Sequence, residues 1–188
     1  MVLVIFLAVL AIVAVYAIGI YNGLVKLREA VKQAWANIDV LLVQRHDELP
    51  KLVETCRRYM QYEQETLERV MKARTTVFQA AGKGDVAGVG AAEGLLRAGL
   101  GQLYAVAENY PALKADETFR HLQTRITQLE ESIADRRELY NEAVNLNNVR
   151  IAQFPDVLVA RWLAFREAQL LEFSDEQRRD VDMKALFS

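Results

Sequence analysis

The sequence predicts an all-α protein, an N-terminal transmembrane helix that continues into a long-helix antiparallel bundle. Three observations carry this. The 188 residues hold only 3 Pro and 9 Gly, and Ala, Leu, Val, Glu, Gln and Arg dominate, a profile of good helix formers. Residues 2–21 form an unbroken apolar run. Beyond it, apolar residues recur every three or four positions, and no stretch alternates as a half-buried strand does.

The apolar run comes first. From Val2 to Tyr21 every residue is apolar, aromatic or Gly. Twenty helical residues reach about 30 Å, the thickness of a bilayer's hydrocarbon core. Tyr16 and Tyr21 lie towards one end, where an aromatic belt sits. A cleaved signal peptide is the alternative. It needs a basic stretch ahead of the apolar one, and only Met1 precedes this run. The anchor reading is therefore preferred. Lys26, Arg28 and Lys32 follow the span, so the positive-inside rule puts the N-terminus outside and the remainder in the cytoplasm. Three parts result: an anchor at 1–21, a cytoplasmic bundle at 22–165 and a polar tail at 166–188.

Within the bundle the spacing predicts helices at about 22–81, 86–109, 116–153 and 156–165. The first stripe runs through Leu24, Leu27, Val31, Trp35, Ile38, Leu42, Arg45, Leu49, Leu52, Cys56, Met60, Glu63, Leu67, Val70, Arg74 and Val77, in steps averaging about 3.5 as in a coiled coil. Pro50 lies inside it. The stripe keeps phase across Pro50, which predicts one long, kinked helix reaching on the order of 90 Å from the membrane; a break at Pro50 is the alternative. Gly82 is expected as a C-terminal cap and Asp85 as the next N-cap. Seven of the glycines lie between 82 and 101, which predicts a loop and then a small-residue helix packed closely on its neighbours. Tyr110-Pro111 stops that helix, and Asp116 caps the next. Segment 157–165 is short and very apolar. Core packing is its default reading, with a contact to a neighbouring copy or an in-plane membrane helix as alternatives.

Composition narrows the chemistry. Net charge is −2, which gives no reason to expect nucleic acid as a partner. One cysteine excludes an intramolecular disulfide and a multi-Cys metal site. Neither His46 nor His121 has a Glu three residues before it, as a di-metal bundle site requires. No phosphate loop, complete dinucleotide pattern or nucleophile elbow occurs. Neither an enzyme nor a cofactor is expected. Cys56 reads as a small buried hydrophobe. The anomaly is a set of polar residues on apolar seams: Arg45, Glu63 and Arg74 on the first helix, Glu130, Arg137, Asn141 and Asn148 on or beside the third. They are expected to form a register-fixing network of buried pairs and amide bonds. Trp35, Trp162 and Phe165 are the candidate core or interface residues.

These motifs resemble the LemA family of bacterial membrane-anchored helical proteins. The resemblance begins at Tyr21-Asn22-Gly23-Leu24-Val25. It continues through Ala34-Trp35-Ala36-Asn37-Ile38-Asp39-Val40, then Gln44-Arg45-His46-Asp47-Glu48-Leu49-Pro50, and Ala73-Arg74. It is strongest at Ala107-Glu108-Asn109-Tyr110-Pro111-Ala112-Leu113, whose centre, Glu108 to Pro111, is read as a family turn. Glu130, Arg137, Tyr140-Asn141 and Phe154-Pro155 follow. Two departures stand out: His46 where the family usually has Tyr, and Ala164-Phe165 where it tends to have Gly-Phe. The resemblance implies a single-pass anchor in the cytoplasmic (inner) membrane, a cytoplasmic antiparallel bundle and no accepted enzymatic activity. One branch looks like the MamQ proteins, linked to organising magnetosome membranes.

Two functions are carried forward. The first is a non-enzymatic membrane scaffold that self-associates, because a helix longer than its neighbours leaves an apolar stripe that something must bury. The second is an adaptor or sensor subunit for another membrane protein, such as a protease or signalling protein. The expected partners are the lipid bilayer, further copies of the chain and a membrane protein.

Overall fold

The computed structural model describes residues 1–172. Their helices are α1 (Val2–Arg57), α2 (Gln64–Gly82), α3 (Val86–Ala107), α4 (Pro111–Ala115), α5 (Glu117–Ala152) and α6 (Asp156–Trp162). Strands are absent among the described residues. The all-α prediction holds, and the boundaries of α3 and α5 fall within two residues of those expected. The chain forms two compact units. One comprises Met1–Asn37 with Glu138–Leu170, the other Ile38–Arg137 with Leu171 and Glu172.

The second unit corrects the long-helix expectation. The first helix does not run to residue 81. It passes through Pro50 and ends at Arg57, and residues 58–63 form a link to α2. The His46 ring stacks on Phe78, with centroids 4.2 Å apart, and Arg74 also reaches His46. Helix α2 therefore folds back antiparallel on α1. Periodicity could not reveal this, because the stripe stays in phase through the link: Leu52, Cys56 and Met60 lead on to Leu67 and Val70, and all five are buried. Folding back buries both halves of the stripe at about 25 cal/mol per Å² of apolar surface. A straight helix would leave them in water.

The link to α3 also moves the expected cap. Gly82 is the last helical residue, and Gly84 takes the left-handed conformation at φ +68°. The Asp85 N–H bonds the Ala80 carbonyl and the Gly84 N–H that of Ala81, a Schellman closure. Asp85 caps α3 as expected, accepting from the Gly88 N–H at 2.9 Å. The small residues of α3 do permit close packing. Gly99 lies against Val70, and a methyl group at Gly90 would collide with the Glu172 carbonyl. The Arg69 guanidinium donates to Gln102 on the paired helix at 2.6 Å.

The two turns at the far end of this unit are tied together. The Tyr59 hydroxyl donates to Asp116 Oδ2 at 2.9 Å, and the Tyr110 hydroxyl to Glu63 Oε1 at 3.5 Å. Asp116 Oδ1 accepts from the Phe119 N–H at 3.0 Å, so it caps α5 as expected. That amide and the Tyr59 hydroxyl hold the Asp116 carboxyl below its ordinary pKa. The family turn, Glu108 to Pro111, opens into α4, and Lys114 pairs with Glu108.

In the first unit the C-terminal part of α5 packs on α1. Tyr140 meets Trp35 edge to face at 5.4 Å, and Ile151 packs on a buried cluster of Ile20, Leu24 and Ala160. The Phe154–Pro155 peptide is cis. Helix α6 is shorter than the predicted 156–165. It ends at Trp162, and Ala164 closes it in the left-handed region at φ +54°. The Phe165 N–H bonds the Ala160 carbonyl and the Ala164 N–H that of Arg161, again a Schellman closure. The predicted polar tail at 166–188 is described only as far as Glu172. Ala168 is clamped by Asn148 and Gln169 accepts from Tyr140; Leu171, which belongs to the second unit, is buried. The rest of that tail, residues 173–188, lies outside the described residues.

Candidate functional site

Two places stand out: a buried charge cluster in the second unit and the apolar start of α1. The cluster begins at Arg45, on the inner face of α1 between Leu42 and Leu49. It pairs with Glu93 on α3, and both side chains are almost wholly buried. Glu130 on α5 belongs to the same field. Burial and the Glu93 charge push its carboxyl above the usual carboxylate range, against Arg45 and Arg97. One Glu130 oxygen is buried without a hydrogen bond, as is the hydroxyl of nearby Tyr104, whose pKa is raised by burial and by Glu130. The arrangement can hold one buried ion pair and, beside it, a carboxyl biased towards its protonated form.

The expected network thus divides. Arg45 and Glu130 come together. Glu63 leaves them and accepts from Tyr110 in the turns. Arg74 acts on the backbone: its Nε donates to the His46 carbonyl at 2.7 Å. Pro50 has no N–H, so that carbonyl, four residues earlier, loses its helical partner; Arg74 supplies the missing donor. Asn148 also binds backbone, donating to the Ala168 carbonyl and accepting from its N–H, each at 2.9 Å. Arg137 and Asn141 are half-buried on α5, in the second and the first unit respectively. The sequence reading missed Glu93. It was detectable as a lone carboxylate on the α3 stripe of Val89, Leu96, Leu100 and Leu103.

Other candidates take plainer places. Burial pushes the Cys56 thiol up to about 12, so it is a packed hydrophobe. His46 is lowered by burial and by Arg74 beside it. Trp35 and Phe165 are half-buried in packing within the first unit, Phe165 meeting Tyr21 edge to face at 6.0 Å under the Arg28 guanidinium. Trp162 is 84% exposed. Among the described residues no group of three His, Cys, Asp or Glu side chains is placed to hold a metal ion.

The second place is the start of α1. It carries a window long and apolar enough to cross a membrane, and only 6% of that window is buried inside the protein. Ile5, Phe6, Leu10 and Ile12 all face outwards.

The profile of the LemA family matches residues 34–184. The chain belongs to the LemA family. Curated relatives include magnetosome protein MamQ 2 and magnetosome protein MamQ 1 of Paramagnetospirillum magneticum. Each is 27% identical over 88% of this chain and 70% of its own length. Magnetosome protein MamQ of Magnetospirillum gryphiswaldense is 25% identical over 79% of this chain and 63% of its own. The family match spans the Arg45, Glu93 and Glu130 cluster, the Pro50 and Arg74 pair and the turn from Glu108 to Pro111.

Proposed function

We propose that this LemA-family protein is a non-enzymatic scaffold, anchored in the bacterial inner membrane by the start of α1, that self-associates and organises membrane or protein partners. The observation that carries the reading is the exposed apolar window within α1, which runs unbroken from Val2 to Arg57. Exposed apolar surface of that extent is stable only in lipid. The N-terminus lies outside and the bundle in the cytoplasm, supported by Lys26, Arg28 and Lys32 after the span. Membership of a family that includes magnetosome proteins supports a role in membrane organisation.

The case for self-association rests on different residues from those the sequence suggested. The stripe from Met60 to Val77 is covered by the fold-back of α2. Val40, Val43, Phe78 and Leu95 remain exposed on the second unit, and a second copy is the partner that would bury them. Protein extracted in mild detergent is expected to run as a dimer or larger. A monomer at every concentration overturns the scaffold. Alkaline washing of membranes tests the anchor, which fails if the chain is released. Recovery of one foreign membrane protein at equal stoichiometry, without self-association, would favour the adaptor reading.

A further inference from the structure

We infer that the turn formed by residues 153–165 is a lipid-docking face, seated in the headgroup layer of the membrane that α1 enters. The inference rests on the anchor reading and extends it. Within the first unit, Tyr140 lies against Trp35, and Ile151, about three helical turns on, against Ile20 and Leu24. Helix α5 therefore runs back towards the apolar end of α1. After α6 the chain leaves again: Ala168 is bonded to Asn148 and Gln169 to Tyr140. The turn is thus the point of the unit nearest the span. Its inner side, Ala160 with Val159 and Phe165, packs on Ile20 and Leu24, where the apolar run gives way to Asn22 and Lys26.

The outer side of the same turn is apolar and uncovered. Trp162 is 84% exposed, Phe154 76% and Leu158 60%, with Leu163 beside them. Leu158 and Trp162 are four residues apart on one face of α6. Large apolar groups on a short helix, held at the depth where a span leaves the hydrocarbon, meet the headgroup and acyl boundary before any other partner. Trp is the side chain that layer favours. Arg161 and Arg166, both exposed, flank the patch and suit anionic headgroups. A second copy is the other possible cover, and the test separates the two.

The full chain is reconstituted at one copy per nanodisc in phosphatidylcholine and phosphatidylglycerol. A Trp35→Phe variant leaves Trp162 as the single tryptophan. Its emission is expected to be blue-shifted and to be lost more to lipids brominated near the carbonyl than to lipids brominated deep in the chain. A second variant, Phe154→Cys with Cys56→Ala, carries an environment-sensitive dye at the exposed position and is expected to show the same depth order. Solvent-like emission that ignores bromine, in a chain that stays in the disc through an alkaline wash, overturns the docking face and leaves the anchor standing. A blue shift that needs two copies per disc and ignores bromine overturns it in favour of self-association. A chain that fails to enter the disc overturns both readings.

Discussion

Arg45 and Glu93 show what a single buried charge demands. Each is desolvated, and each is tolerated because the other is there. Replacing one leaves an uncompensated charge, a cost of about 3–5 kcal/mol. Arg45→Met alone is expected to destabilise by that order, whereas Arg45→Met with Glu93→Leu recovers most of it; denaturant midpoints of the two proteins check this. Glu130 behaves differently. Its pKa is raised in the folded state, because burial disfavours the carboxylate. Its contribution is therefore fully present below the unfolded carboxylate pKa and is lost as pH rises through the folded value. Glu130→Gln should flatten the fall in stability from acidic to neutral pH and leave the neutral protein no less stable, measured by urea unfolding at several pH values.

At the scale of elements, closures and breaks decide the architecture. Pro50 does not end α1, because the carbonyl it strands is bonded by Arg74 from the helix folded back alongside. Arg74→Ala should cost about 1–3 kcal/mol by orphaning that carbonyl. In a Pro50→Ala background, where a helical amide is restored, the same change should cost less; a double-mutant cycle reads the difference. The end of α6 offers a second case. Ala164 occupies the left-handed region at φ +54°, where an L side chain is strained. The family's tendency to carry Gly there has its physical reason in that angle. Ala164→Gly is expected to raise stability by about 1 kcal/mol, visible as a higher Tm.

For the whole molecule, the apolar start of α1 adds no packing to either unit before Ile20 and Leu24. Almost none of it is buried, while those two residues seat α6. Deleting residues 2–18 should therefore move the protein from the membrane pellet to the soluble fraction and leave the helicity of the remaining residues unchanged, as circular dichroism would show. Loss of helicity well beyond the deleted residues would mean that the span holds the bundle together.

Much of this protein was legible in one dimension. The fold class, the apolar window, the extents of α3 and α5, the caps at Asp85 and Asp116 and the family motifs all depend on local composition and spacing. Local rules fix these because they concern hydrogen bonds within a few residues and the transfer of a contiguous segment out of water. The position of the first break was not legible. A stripe of period 3.5 reads the same whether a helix continues or turns back on itself, and only the burial of Met60 and the bonds joining Tyr59 to Asp116 and Tyr110 to Glu63 choose the turn. Nor could spacing name the partners of the seam residues. Arg45 found Glu93, 48 positions away, Arg74 found a carbonyl and Asn148 a backbone amide. Those choices belong to the tertiary structure, because a buried polar atom is satisfied by whatever group packing brings within reach.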